Sequence, residues 1–378
     1  MLRARTGMRE SSSQLTLPDR CMIRLSVIVS SKDSEGTLHK VLAAIRSSTL
    51  PSESYELIVV DDGSSDRSVA IAARYADSVV RLTGSAPGPA YARNRGCEIA
   101  RGEILAFIDQ DVVIDANCLS QMLDVLDQQP QLTAVSASYQ EIGTTGFLSS
   151  YWNLLAAFGE KRHEGQCALF ASGCGMIRRT AFISVGMYDE WRFNKGCLES
   201  VELGKRLLAA GHRATLESRC SVTRLQRLTL SVLCAHVWRR ATLLARSLGY
   251  AETNSLIPGE VVFTLTRGLI PSLAVFAILT LGGAVYSERT LGLPVALAFG
   301  IMLVSSAPIH FFYARQRGPV FALLSAPLHV VIQLLAAVAL CRGWFLRDIF
   351  GDVSPDATTQ AYSEIGFETW PPVRRRLS

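Results

Sequence analysis

Hydrophobic and polar positions follow one another along this chain in two different rhythms. Between residues 25 and 227, short apolar runs bounded by turn residues alternate with segments whose apolar positions recur at helical spacing. Beyond residue 259 the apolar residues continue in stretches of roughly 20, the length that crosses the hydrocarbon core of a bilayer. The first rhythm predicts strands and helices in turn, hence an α/β domain with a mostly parallel sheet and helices on both faces. The second predicts C-terminal transmembrane helices.

Strands are expected at Leu25 to Ser30, Glu56 to Val60, Val79 to Leu82 and Glu103 to Asp109. Between them, Leu38, Val41, Leu42 and Ile45 mark one helix, with Ser34 as its cap. Ser65 or Asp66 caps the next helix. Gly88-Pro89 opens a third and Gly102 follows its end. Asp115 caps a helix that runs through Leu126 and closes near Pro130.

In open sheets of this kind, ligands bind at the carboxyl ends of the strands. Asp61, Asp62, Asp109 and Asp111 all fall at such ends. Side chains two apart on an extended chain point the same way, so Asp109 and Asp111 can face one ligand. Paired carboxylate oxygens suit Mg²⁺ or Mn²⁺ holding a diphosphate. Taken alone, Asp109-Gln110-Asp111 reads more readily as a strand ending in a polar turn, and Asp61-Asp62-Gly63-Ser64 equally as a capped turn. Their convergence on one edge favours the site.

Composition narrows the picture. Net charge is +5, from 38 Lys+Arg against 33 Asp+Glu, which does not suggest a nucleic-acid partner. Mean hydropathy is +0.23, high for a purely soluble chain. The nine cysteines are scattered without a Cys-x-x-Cys pair, which argues against a disulfide framework or a zinc site and fits reduced thiols. Residues 1–22 carry Arg3, Arg5 and Arg9 and no apolar stretch of signal-peptide type, so they read as a disordered leader, with Met22 as a second candidate start. The first domain is then expected in the cytosol.

Val27 to Ser31, Val59 to Ser64, Gly88 to Gly96 and Asp109-Gln110-Asp111, followed by Ala171 to Arg179, Val185 to Glu190 and Leu198 to His212, resemble a family 2 glycosyltransferase with the GT-A fold. The resemblance implies inverting transfer of a sugar from a nucleotide diphosphate sugar. It places the first loop, with Ser31 and Asp33, and the acidic turn, Asp61 and Asp62, at the nucleotide. It also puts Arg93, Asn94 and Gln110 beside the nucleotide and makes Asp109 and Asp111 the metal ligands. Two positions depart from the family. Its Pro-x-Tyr-Asn opening is Ser30-Ser31-Lys32-Asp33, and the Asp of its Glu-Asp pair, the base for the acceptor hydroxyl, is Ser200. Serine is no carboxylate base. Glu199 takes that role with Glu202 one turn on, or the acceptor arrives already ionised, or the enzyme is weakened.

The domain is expected over residues 23–227, interfacial amphipathic helices over 228–258, a transmembrane region of two or three spans over 259–345 and a polar tail over 346–378. Arg239, Arg240, Arg246 and Trp238 give the interfacial segment its character. The apolar stretches are Val261 to Tyr286, Leu291 to Tyr313 and Val320 to Cys341. The basic loop Arg315-Gln316-Arg317 is expected in the cytosol. A third span would then place Arg342, Arg347 and Arg374-Arg375-Arg376 outside, against the positive-inside rule, unless that segment is re-entrant or packed within a bundle. Three readings follow. The first is a multi-pass inner-membrane glycosyltransferase, its catalytic domain cytoplasmic, acting on a lipid or lipid-linked glycan. The second is a non-catalytic nucleotide-sugar-binding subunit of an envelope assembly. The third is a nucleotidyl or phosphoryl transferase on the same sheet.

Overall fold

The computed structural model describes residues 23–83, 88–139, 146–161, 170, 173–190, 198–247, 292–350 and 367–370. The leader, the apolar stretch Val261 to Tyr286 and most of the tail lie outside these residues. The strands are β1 (Leu25–Ser31), β2 (Tyr55–Asp61), β3 (Ser78–Leu82), β4 (Ile104–Asp109), β5 (Val112–Ile114), β6 (Ala134–Tyr139), β7 (Cys174–Arg178), β8 (Ala214–Arg224) and β9 (Phe367–Trp370). The helices are α1 (Leu38–Arg46), α2 (Ser68–Tyr75), α3 (Pro89–Ile99), α4 (Cys118–Gln128), α5 (Phe147–Lys161), α6 (Arg179–Ser184), α7 (Glu199–Ala209), α8 (Leu230–Ser247), α9 (Gly292–Arg317) and α10 (Pro319–Phe350).

The strands form one sheet in the order β5-β8-β6-β7-β4-β1-β2-β3-β9. β3, β2, β1 and β4 are parallel neighbours, as the alternation of strands and helices requires. The sheet as a whole is mixed rather than mostly parallel. β7 runs antiparallel between β4 and β6, and β5 and β9 are antiparallel to their neighbours. The alternation stops after β6, where the chain leaves the sheet through α5 and re-enters at β7 from the same end, so that β7 runs back antiparallel.

Helices cover both faces. Val27, Val29, Leu57 and Val59 pack with α1, α2 and α4 on one side. Ile28, Ile58, Val60 and Phe107 pack with α3, α6 and α7 on the other. Burial on both faces explains why β1 and β2 are buried along their whole length and read as continuous apolar runs. All four expected apolar positions of α1 are buried. Its first turn differs from expectation. Ser34 contributes its carbonyl rather than its hydroxyl, which bonds Ser31 Oγ at 2.7 Å. Asp115 likewise gives its carbonyl to Cys118, and its carboxylate receives the Ser221 hydroxyl.

A second assembly joins α5, α8, α9 and α10 through Tyr151, Leu233, Ile309, Tyr313 and Ile332. α8, expected to lie alone on a membrane surface, gives its apolar face to α10 through Ala241, Leu244 and Ala245 against Ala339 and Leu340. A Cβ on Gly343 would stand 2.5 Å from the Thr242 carbonyl oxygen, so the helices meet at backbone distance there. α9 and α10 are joined at Gly318, whose φ of +88° suits glycine. Among the described residues, one helical segment, Pro319–Leu346, is long and apolar enough to cross a membrane. α10 is continuous through Pro327 and packs within the bundle; it is not re-entrant. Nor is the tail polar throughout: Phe367–Trp370 pairs with β3, with Val79 opposite Trp370.

Gly343→Leu should force α8 from α10 and lower the stability of the full chain by about 1–3 kcal/mol. Thermal melts should record the loss.

Candidate active site

β1, β2, β4, β6 and β8 all run in one direction, so their last residues mark a single edge of the sheet. Those residues are Ser31, Asp61, Asp109, Tyr139 and Arg224. The acids predicted at strand ends therefore meet, and they meet two arginines.

Arg93, on α3, lies under this edge and is buried. Its Nη2 donates to Asp109 Oδ1 at 2.7 Å and its Nη1 to Glu199 Oε1 at 3.0 Å. Tyr188 lies against its guanidinium, 5.5 Å from ring centre to Cζ. Glu199 begins α7 and is itself buried. One guanidinium thus ties the metal motif of β4 to the first turn of the acceptor-side helix.

The remaining expected residues divide. Asp61 and Asp62 are both buried. Asp61 Oδ2 accepts from Ser64 N–H at 3.1 Å, and Asp62 Oδ2 from Gly88 N–H at 3.2 Å. Their Oδ1 atoms have no hydrogen-bond donor among the described residues. Burial pushes the Asp62 carboxyl up to about 6 despite the opposing pull of Lys32. Asp33, at φ +44°, accepts from the N–H and hydroxyl of Ser65 and brings the first loop against the acidic turn. Gln110 accepts from Lys32 N–H at 2.6 Å through its side chain, and its carbonyl receives the Thr37 hydroxyl. Asn94 is not turned to the edge. Its amide donates to Tyr188 O and Glu190 Oε2, and its oxygen accepts from Tyr188 N–H, which fastens the segment before α7. Glu202 also lies outside the cluster: it pairs with Arg206, whose fork holds the Val185 and Met187 carbonyls.

Asp109 and Asp111 are each about one-fifth exposed at the side chain. Burial raises the Asp111 carboxyl, and Arg224 opposes this. Sequence reasoning missed Arg224 entirely. Its Nη2 lies 3.6 Å from Asp109 Oδ2 and its Nε 4.0 Å from Asp111 Oδ1, so a cation already faces both carboxylates. Two part-exposed carboxylates side by side fit Mg²⁺ or Mn²⁺, which takes one or two carboxylates and completes its shell with water and phosphate oxygens. The signal for Arg224 was its place at the end of a long strand, legible only once β8 is known to lie beside β5. Tyr139 was missed for the same reason. Its hydroxyl accepts from Arg224 Nη2 at 2.7 Å.

Residues 26–186 match the family model Glycosyl transferase family 2. The poly(ribitol-phosphate) beta-glucosyltransferase of Bacillus spizizenii is 32% identical over 102 residues, 26% of this chain and 16% of that protein. The UDP-Glc:alpha-D-GlcNAc-diphosphoundecaprenol beta-1,3-glucosyltransferase WfgD of Escherichia coli is 31% identical over 104 residues, 27% of this chain and 40% of that protein. The matches thus span well under half the length of these relatives. The mannosyltransferase PcManGT of Pyrobaculum calidifontis, solved with GDP-Man and Mn²⁺, superposes with a TM-score of 0.54 at 16% identity, covering 85% of this chain and 87% of that one. The sheet and its helices are therefore GT-A-like, and residues 26–186 are similar to the family 2 glycosyltransferase domain.

Two outcomes follow from the geometry. Arg93→Met leaves Glu199 buried without its partner and should cost about 3–5 kcal/mol in denaturant unfolding, much of it recovered in Arg93→Met/Glu199→Gln. The raised Asp62 carboxyl favours folding protonated, so its stability penalty grows as pH rises from about 4 and is complete above about 6. Asp62→Asn should melt higher than the wild type at pH 8, and the gain should vanish near pH 4.

Proposed function

We propose that the chain is an inverting glycosyltransferase that takes a sugar from a nucleotide diphosphate sugar and passes it to a lipid or lipid-linked glycan at a membrane. The observation that carries the donor assignment is the pair of buried Oδ1 atoms on Asp61 and Asp62 that lack a donor. Buried acceptors are costly unless bonded. The hydroxyls of a ribose and the N–H of a base supply the missing donors, and the diphosphate then reaches Asp109 and Asp111.

A divalent cation held by Asp109 and Asp111 supplies charge neutralisation to the departing diphosphate. The PcManGT structure, with Mn²⁺ beside its nucleotide sugar, supports that choice of ion class. The chain's own residues do the rest. Arg93 orients Asp109 and holds Glu199 at a fixed distance from it. The acceptor oxygen attacks the anomeric carbon as the bond to the diphosphate oxygen breaks on the opposite face. Glu199, tied to Asp109 through Arg93, is a carboxylate that can receive the hydroxyl proton; Ser200 cannot. Burial and the bond to Arg93 also fit the second reading, a subunit that binds donor without turning it over.

The membrane assignment draws on the outer faces of α9 and α10. Val304, Leu323, Val320, Phe311 and Phe345 are more than 60% exposed, an apolar surface that lipid covers. WfgD, whose name gives an undecaprenol-linked acceptor, supports an acceptor of that class. β9 returns to the catalytic sheet, so the end of α10 shares a side with the catalytic domain.

Membranes carrying the protein should transfer label from one of a panel of nucleotide sugars into the lipid fraction when Mn²⁺ is present. Asp109→Ala/Asp111→Ala should abolish transfer; unchanged transfer would refute the metal assignment. Glu199→Gln should lower kcat by about 100-fold or more with donor binding nearly unchanged. Donor binding without release or transfer by the wild type, with lipid acceptors supplied, would favour the non-catalytic reading. A reporter fused after Ser378 should read on the catalytic side.

A further inference from the structure

We propose that Arg224 is the resident cation of the Asp109–Asp111 pair, which a divalent metal entering with a nucleoside diphosphate must displace. The proposal rests on the reading of this edge as the donor site. At 3.6 and 4.0 Å, the contacts of Arg224 with the two carboxylates are ion pairs rather than hydrogen bonds. The guanidinium faces both acids and offsets part of their charge without a hydrogen bond to either. Its short bond goes to Tyr139 Oη at 2.7 Å, and its Cζ lies 4.6 Å from the Tyr139 ring centre.

The fold builds this placement. Leu225 N–H donates to Asp111 O at 2.7 Å and Val112 is paired with Arg224, so β8 ends beside the metal motif. Gly173, which accepts from Asp109 N–H, leaves the space that Tyr139 and Arg224 fill. A Cβ there would lie 1.8 Å from Tyr139 Oη and 3.2 Å from Arg224 Nη2. The Arg224 side chain is 22% exposed, which leaves it a way out.

A dication bound to Asp109 and Asp111 would face this guanidinium at close range, and like charges so placed repel strongly. The arginine and the metal therefore compete for the same carboxylates. A diphosphate relieves the conflict, because its oxygens give the displaced fork a new anion that matches its geometry. Metal and diphosphate should then bind as a coupled pair, each weakly without the other. The edge stays partly neutralised between turnovers, with no divalent ion held in reserve.

The test is an Mn²⁺ titration of the purified full-length chain, with free ion followed by electron paramagnetic resonance, alone and with UDP. Arg224→Gln should bind Mn²⁺ alone on the order of tenfold more tightly than the wild type, and the gain brought by UDP should shrink. Arg224→Lys, which keeps the charge, should stay within about threefold of the wild type. Arg224→Met, neutral but with an apolar stem, should repeat the glutamine result should glutamine not fold. Equal affinity in all four proteins, or equal tightening by lysine and glutamine, would overturn the proposal while leaving the donor site standing. No Mn²⁺ binding to any of them, with UDP or without, would overturn both.

Discussion

Arg93 sets the constraint on which the candidate site depends. A buried guanidinium is tolerated only when its donors are matched, and here two of them are matched by acids from distant parts of the chain. Asp109 ends the central strand, and Glu199 begins a helix ninety residues later. Their common partner fixes the spacing between the donor side and the acceptor side of the edge. Asn94, the next residue on α3, reinforces this by gripping the Tyr188 backbone and Glu190. One turn of α3 thus holds the acceptor-side segment against the sheet.

The first half of the fold was legible because its local and global signals agree. β1, β2 and β4 are buried on both faces, and their apolar runs end at the acids. The second half was not. β7 returns antiparallel between β4 and β6, and no local pattern marks an inserted strand. The same limit hid part of the site. Asp61, Asp62, Asp109 and Asp111 stand in motifs, whereas Arg224 and Tyr139 are single residues made neighbours by strand order alone. The resemblance that placed Asn94 at the nucleotide and Glu202 at the acceptor could not reveal that both side chains are engaged in holding the backbone. The packing of α8 on α10 was not legible, because an apolar stripe does not say whether lipid or another helix covers it.

The Asp109–Asp111 pair is ordinary in sequence and unusual in surroundings. Three acids, Asp109, Asp111 and Glu199, share two guanidiniums, so with all three ionised the cluster carries one more negative charge than positive. That residual charge invites a cation, while Arg224 raises the cost of admitting one. The balance between the two decides whether the edge meets the nucleotide as a loaded or an unloaded site, and it depends on a strand remote in sequence from the motif.

The exits from the catalytic sheet connect this balance to the helical bundle. β6 ends at Tyr139 and the chain continues to α5; β8 ends at Arg224 and continues to α8. The two exits are joined where Leu228 N–H donates to Ser149 Oγ at 2.9 Å. The strands that supply Arg224 and its tyrosine support are thus the same strands that lead into the bundle. An acceptor held in lipid beside α9 and α10 would approach from the side where those exits lie. Such an attachment fixes the distance between a membrane-borne acceptor and the acids far more tightly than a flexible tether could, because positional freedom removed by the fold need not be lost again on binding.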